Sequence, residues 1–177
     1  RDAMSCLSRE VVEEVNIFNG LTEKEKTSIS NRSTKLFTLS SIHNATRVLL
    51  NKGKKVDTIT SKEKEAAVQY WKLVTESMPD WKKAKSKTLS SASLREEYIH
   101  SHGVALQALG ELGKDVTQRH PKEWKKYIRG LKDVDWSRSN KRMWEGKALI
   151  NGRVQKSTVN VRLTAITLKK QLNIPLT

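Results

Sequence analysis

Hydrophobic residues at helical spacing mark the clearest element of the sequence, between about Ser61 and Met78. The apolar positions of one face follow the first at offsets of 3, 4, 7 and 11 residues: Ala67, Tyr70, Trp71, Val74 and Met78. Thr60 followed by Glu63 matches the capping box that begins a helix, and Pro79 is typical of a helix end. The pattern predicts an amphipathic helix with a buried aromatic face.

Two other stretches carry the same periodicity with interruptions. The first, before Lys52-Gly53, presents three apolar residues on one face: Ile42, Ala45 and Leu49. The second presents six: Leu94, Tyr98, Ala105, Ala108, Leu109 and Leu112. Ser93 and Glu96 match a capping box at its start. Gly103 predicts a break or kink, because a glycine costs about 1 kcal/mol in a helix interior, and Gly110 and Gly113 are interpreted as further stop signals.

The last third of the chain predicts a helix, a hairpin and another helix. Pro121 suits the first position of a helix that reaches about Leu131. The Asn151-Gly152 pair is the preferred tight turn of a short hairpin over residues 148–156. The final helix is expected to begin near Ser157 or Thr158 and to run to Leu172, with Pro175 beyond its end.

These elements predict a mainly α fold. We expect a single compact helical domain over residues 1–177, with five to seven helices and one short β-hairpin near 148–156. The basic stretch 81–87 is interpreted as an exposed connector. The chain opens at Arg1 and not at Met, so we expect it to be a piece of a longer protein. An alternative is a helical half that packs against an absent α/β half.

Charge divides the chain into two halves. Of the net charge of +15, residues 1–80 contribute little, with 13 basic and 11 acidic side chains. Residues 81–177 are strongly basic, with 21 basic and 8 acidic side chains. A field of this sign attracts polyanions: nucleic acid, an anionic membrane surface or an acidic protein. The membrane fits least well, because the apolar helix faces resemble core faces and no run of 18 apolar residues occurs.

The sequence contains no motif that predicts catalysis. Zinc-ligand spacing and a glycine-rich phosphate loop are both absent from the 177 residues. His100 and His102 are two positions apart, so on a helix they point about 200° from each other. We therefore expect no enzyme activity, no metal and no other cofactor. The single cysteine, Cys6, and the absence of a secretory leader favour a reducing, cytoplasmic location.

Two surfaces of the basic half are the candidate nucleic-acid-binding sites, beside a looser third one in the connector. On the predicted helix after Pro121, four cations repeat about 200° from the aromatic face: Lys122, Lys125, Lys126 and Arg129. In the second, cations alternate with Trp136 and Trp144 and continue into the hairpin: Arg138, Lys141, Arg142, Lys147, Arg153 and Lys156. The two tryptophans themselves are interpreted as core anchors. A solvated basic face is the alternative for the first surface.

Several blocks of the sequence resemble the DndB family of DNA sulfur modification proteins. They are Ser28–Ser40, Ala45-Thr46, Leu49-Leu50, Leu94–Ile99, Ala108–Gly110, Asp135–Arg138, Trp144–Gly146, Asn151–Val154 and Lys156-Ser157. The resemblance implies a role in DNA phosphorothioation, in which sulfur replaces a non-bridging phosphate oxygen. It also implies transcriptional regulation in a bacterial cell, close to the nucleoid, as a repressor that binds the promoter of the modification genes. The Asp-Gly-Gln-His-Arg motif of that family, found in its N-terminal half, does not occur in this chain, so the resemblance implies that the chain is the C-terminal portion of a longer protein.

The leading hypothesis is therefore a DNA-binding transcriptional regulator whose partner is double-stranded promoter DNA. A second hypothesis is a protein-interaction module that docks onto other DNA sulfur-modification proteins without binding DNA directly. A third is an accessory nuclease or nucleotide-hydrolysing unit. A second copy of the chain is a further partner that the sequence leaves open.

Overall fold

Most of the chain is helical in the computed structural model, which describes residues 2–176. The α-helices of this part are α1 (Ala3–Glu14), α2 (Leu39–Leu49), α3 (Ser61–Glu76), α4 (Pro79–Lys85), α5 (Ser91–Glu97), α6 (Gly103–Arg119), α7 (Trp124–Arg129), α8 (Lys141–Trp144) and α9 (Thr158–Gln171). A 3₁₀ helix (Gly130–Asp133) follows α7. The predicted mainly α class is confirmed. The described helices outnumber the expected five to seven because several short ones occupy stretches without a periodic pattern.

Two minimal sheets complete the fold. β1 (Thr22–Glu23) pairs in parallel with β2 (Phe37–Thr38), directly before α2. β3 (Leu149–Ile150) pairs antiparallel with β4 (Arg153–Val154) and forms the predicted hairpin. Asn151 and Gly152 at its tip have positive φ angles of 52° and 76°. Asparagine and glycine tolerate that conformation, which explains why this turn was predictable.

Local capping signals place two helix starts correctly, and a glycine marks a third. Thr60 and Glu63 form the reciprocal capping box of α3. Ser157 caps α9, as predicted, and its side chain accepts a hydrogen bond from the N–H of Asn160. The predicted break at Gly103 is confirmed, because α6 begins there. A polar side chain that accepts an orphan N–H acts within a few residues and needs no tertiary contact.

Tertiary packing overrides four other sequence interpretations. The expected connector 81–87 is mostly the helix α4, whose Trp81 is fully buried. Ser90, and not Ser93, caps α5. Gly110 and Gly113 do not end a helix but lie inside α6. The helix expected from Pro121 to Leu131 is only α7, with a turn before it and the 3₁₀ helix after it.

Aromatic side chains form two clusters in the core. Phe37 meets Trp81 edge to face, with ring centroids 4.9 Å apart, and Phe18 packs on both Phe37 and Trp71. Farther along the chain are the predicted core anchors Trp136 and Trp144. Both are buried, and their rings stack with centroids 5.2 Å apart. α6 packs along α2 on one side and along α9 on the other, which makes it the central helix of the core.

Candidate nucleic-acid interface

The predicted cationic face of α7 is exposed. Lys125, Lys126 and Arg129 lie on the helix, and Lys122 lies in the turn that precedes it. Within residues 2–176, none of the four has an acidic side chain within ion-pair distance. Their charges are therefore not neutralised by direct partners in the fold.

The opposite face of α7 is less buried than its apolar pattern predicts. Ile128 is fully buried, but Trp124 and Tyr127 are only half-buried. The Trp124 ring lies 6.0 Å from the ring of Tyr70, centroid to centroid, and Lys125 Nζ lies 5.8 Å from the Trp124 ring. A half-exposed indole therefore borders the cations.

The cationic surface of α7 borders a cleft of mixed charge. Lys125 and Arg129 lie at the edge of this open cleft on α3, which is also lined by three glutamates and two lysines: Glu14, Glu65, Glu76, Lys64 and Lys72. The Lys64 ammonium lies 3.3 Å from the Glu14 carboxylate, so part of this negative charge is already paired. The part of the surface around Lys122 and Lys126 lies outside this mixed-charge cleft.

The hairpin carries one further predicted residue next to its tip, and the segment after it carries another. Arg153 on β4 and Lys156 after it are exposed. The Glu145 carboxylate accepts hydrogen bonds from the backbone N–H groups of Asn151 and Gly152. This contact fixes the turn relative to α8, so that the cation next to the tip is presented on a defined loop.

The short helix α8 positions the remaining predicted lysine and arginine side chains. Lys141 and Arg142 are exposed, whereas Lys147 is half-buried. α8 is fixed by Trp144, whose indole N–H donates a 2.8 Å hydrogen bond to the carbonyl of Asp135. The aromatic anchor thus points inward while the two cations of the same turn point to solvent.

Arg138 has a different role from the one predicted. Its guanidinium is half-buried, and Nη2 donates a 2.7 Å hydrogen bond to the carbonyl of Arg95. Nε donates to the carbonyl of Tyr98 at 3.4 Å. Burial lowers the pKa of this guanidinium from its ordinary value. Arg138 therefore ties the segment after Trp136 to the end of α5, and it is not free to reach an external duplex.

Arg95 and His102 were not among the predicted site residues. Arg95 donates to four backbone carbonyls of the loop before β2: those of Ser30, Asn31, Ser33 and Lys35. His102 Nε2 lies 2.7 Å from the carbonyl of Arg95. Both residues border a cleft that also contains Arg138 and Lys156. No cationic periodicity marks Arg95, so only its place in the Leu94–Ile99 block singled it out in the sequence.

Metal binding requires clustered ligands, and membrane insertion requires a long apolar helix. Residues 2–176 contain no cluster of three or more histidine, cysteine or acidic side chains arranged to hold a metal ion. No helix in that part of the chain has the length and hydropathy needed to cross a membrane. The His100 ring is buried beside the rings of Trp81 and Trp136, and its Nε2 lies 3.7 Å from Asp80 Oδ2.

A family model matches nearly the whole chain. The family model for DndB, described as DNA-sulfur modification-associated, matches residues 1–175. No curated protein and no solved structure matches the chain.

Proposed function

Because this chain belongs to the DndB family of DNA-sulfur modification-associated proteins, we propose that it is a DNA-binding regulator of the phosphorothioation genes. In this proposal the chain carries out no chemistry of its own. Its partner is the double-stranded DNA of the promoter region. Its output is repression of transcription, through occupancy of that region.

The exposed cations of the basic half are the observation that supports this proposal. Nine of the ten predicted residues are exposed or half-buried, and their charged groups have neither an ion pair nor a hydrogen bond among residues 2–176. Arg138 is the exception, because its guanidinium donates hydrogen bonds inside the fold. Contacts with phosphate groups supply most of the affinity of such surfaces, because each neutralised phosphate releases condensed counterions. The half-exposed Trp124 adds a ring that can pack against the sugar-phosphate backbone.

Two elements have different roles in this proposal, one in phosphate contact and one in groove contact. α7 and the turn before it provide a row of positive charges along the backbone of one DNA strand, through Lys122, Lys126 and their neighbours. The hairpin, fixed by Glu145, brings Arg153 toward a groove as a short β-ribbon does. Phosphate contacts position a protein on DNA without reading its sequence, so sequence preference is assigned to the groove-facing hairpin.

Salt dependence tests the electrostatic basis of the proposal. We expect the affinity for a promoter duplex, measured by fluorescence anisotropy, to fall steeply between about 50 and 200 mM NaCl, because displaced counterions return to the DNA. A scrambled duplex of the same length serves as control for sequence preference. An affinity that stays constant over this range contradicts phosphate-driven binding.

A triple substitution on α7 tests the surface itself. Lys125→Ala, Lys126→Ala and Arg129→Ala together should weaken binding to promoter and scrambled duplexes alike. If all three contact phosphates, the slope of log K against log salt should fall by about 2.7, at roughly 0.9 per phosphate. The matched control removes three exposed cations from the near-neutral half, Lys54, Lys55 and Lys62. Equal effects of the two triple variants would remove α7 from the proposal.

The alternative function is an interaction module of the sulfur-modification machinery. The observation that favours it is the outer face of α9, where Val159 and Leu163 are exposed, with relative accessibilities of 59% and 37%. Exposed apolar residues that cluster on one face favour protein contacts over DNA contacts. The anisotropy experiment separates the two functions, because such a module binds free duplex weakly at every salt concentration.

A further inference from the structure

α2 and α6 run parallel to each other. Three glycines of α6 face successive residues of α2: Gly103 faces Ser41, Gly110 faces Ala45, and Gly113 faces Leu49. A β-carbon built on Gly103 would lie 3.2 Å from Ser41 Oγ, and one on Gly110 would lie 2.4 Å from the Ala45 carbonyl oxygen. Because both residue numbers increase together along the interface, the two helices begin at the same end of the molecule.

α9 begins at that end as well. Lys156, just before α9, places its Cε 3.7 Å from the β-carbon position of Gly103. Near the other end, Lys169 Nζ lies 3.3 Å from the Asp115 carboxylate of α6. Three helix N-termini therefore lie together, and each carries the partial positive charge of its helix dipole. Their mutual repulsion is relieved by an anion placed among them.

Backbone donors at this end have no acceptor. His102 precedes α6 without providing a side-chain cap, so the N–H groups of Gly103 and Val104 have no hydrogen-bond partner among the described residues. At the start of α2, Thr38 caps only the N–H of Ser41. Free N–H groups at a helix N-terminus are the usual donors to phosphate and sulfate groups.

A cleft of about 520 Å³ opens at these N-termini. Three cationic side chains line it, namely Arg95, Arg138 and Lys156. One acidic residue, Glu96, also lines it, with an exposed side chain. Ser101 borders the cleft with 5% of its surface exposed, and its buried hydroxyl has no hydrogen-bond partner in the part of the chain that the structure describes. A buried hydroxyl in that state costs free energy unless a ligand or water supplies the bond.

We propose that this cleft binds a phosphate-type oxyanion. Lys156 supplies a mobile point charge, Gly103 and Val104 supply N–H donors, and the hydroxyls of Ser41 and Ser101 complete the contacts. The guanidinium of Arg138 contributes positive charge without a direct contact to the anion, since two of its nitrogens already donate to carbonyls. The cleft is larger than a phosphate ion, so it has room for an attached nucleoside. The inference does not depend on duplex binding by α7.

Titration with two probes tests the cleft on the whole 177-residue chain. Sodium phosphate and adenosine monophosphate should each raise the melting temperature, with NaCl of equal ionic strength as reference, and calorimetry should give a saturable isotherm. Lys156→Ala should weaken that binding roughly 10- to 100-fold, the range expected for a lost charge-assisted hydrogen bond. Lys170→Ala is the matched control, since it removes an exposed lysine at the opposite end of α9.

A second variant places an anion in the cleft by substitution. Ser41→Asp puts a carboxylate in the first turn of α2, a position that favours negative charge, so the variant is expected to fold. It should melt at a higher temperature than the unmodified chain and should no longer respond to phosphate. The proposal is overturned if phosphate stabilises the chain no more than NaCl does. It is also overturned if Lys156→Ala and Lys170→Ala bind phosphate equally well.

Duplex DNA distinguishes the source of the oxyanion. If the cleft takes a phosphate of the DNA backbone, free phosphate competes with the duplex more strongly than NaCl of equal ionic strength does. If it takes a free phosphate compound, phosphate and NaCl affect duplex affinity equally; both results support the cleft. The α7 triple variant should retain the phosphate response whatever its duplex affinity. Failure of the proposed DNA-binding surface and failure of the cleft are thereby measured separately.

Discussion

Gly110 lies at a close contact between the backbones of α2 and α6. A β-carbon at this position would lie 2.4 Å from the Ala45 carbonyl oxygen and 3.1 Å from its carbon, and both atoms belong to backbone. At Gly113 a β-carbon would instead collide with the side chains of Tyr70 and Leu49. Single hydrogen atoms at these positions thus set the spacing of the two central helices.

Substitution of Gly110 by alanine tests this spacing. The change gains about 1 kcal/mol of helix propensity, but it forces the backbones apart and should lower the free energy of unfolding by about 1–3 kcal/mol, as overpacking does. Urea unfolding followed by circular dichroism measures the difference. Gly53→Ala is the control, because a β-carbon there meets nothing within 4 Å. Equal stability of the two variants contradicts a close helix contact at Gly110.

At the scale of the element, the loop between β1 and β2 lacks regular structure over most of its length. Arg95 of α5 organises its second half by donating to four of its carbonyls. Lys35 adds a 2.9 Å hydrogen bond from Nζ to the carbonyl of Gly20. One planar, multi-donor side chain can satisfy a curved backbone that has no ladder partner, which a lysine cannot do.

Arg95→Ala should therefore release this loop before the rest of the fold. Limited trypsin digestion should cleave after Arg32 or Lys35 many times faster than in the unmodified chain, because the backbone must leave its folded path to enter a protease. Arg95→Lys should behave nearly like alanine, since it keeps the charge and loses the fork geometry. Digestion at an unchanged rate in both variants would show that other contacts hold the loop.

At the scale of the whole molecule, burial couples folding to the protonation of histidine. Burial lowers the pKa of His100, of His102 and of His43 below the ordinary value. Below pH 6.5 the unfolded chain therefore binds protons that the folded chain does not yet bind. Stability is fully present above about pH 6.5 and is lost as the pH falls from there toward the lowered folded-state pKa values.

The free energy of unfolding should accordingly be nearly constant from pH 8 to 7 and should decline between pH 6.5 and 5.5. His100→Phe keeps an aromatic ring against Trp136 and removes one titrating group. The slope of the free energy of unfolding against pH should therefore fall by up to about 1.4 kcal/mol per pH unit, the value for one proton. Urea titrations at each pH measure both slopes. A His100→Phe variant with an unchanged slope would assign the pH dependence to other groups.

Local chemistry in the sequence was enough to determine several elements of this protein. Interactions within a few residues determine four predicted features: the capping box of α3, the Asn151-Gly152 turn, the break at Gly103 and the start of α9 near Ser157. The mainly α class follows from periodicity, and the excess of positive charge in residues 81–177 follows from composition. Nothing beyond neighbouring positions is needed for these conclusions, so the sequence alone carries them.

Tertiary structure decided the features that depend on residues distant along the chain. The stretch expected to be an exposed connector is mostly a helix, because Trp81 packs into the core. Gly110 lies inside α6, where its missing side chain allows α2 to approach. The inward turn of Arg138 and the meeting of three parallel helix N-termini beside Lys156 likewise depend on how the helices pack. Periodicity fixes which face of a helix is apolar, but the direction and neighbours of that helix are set by contacts across the whole core.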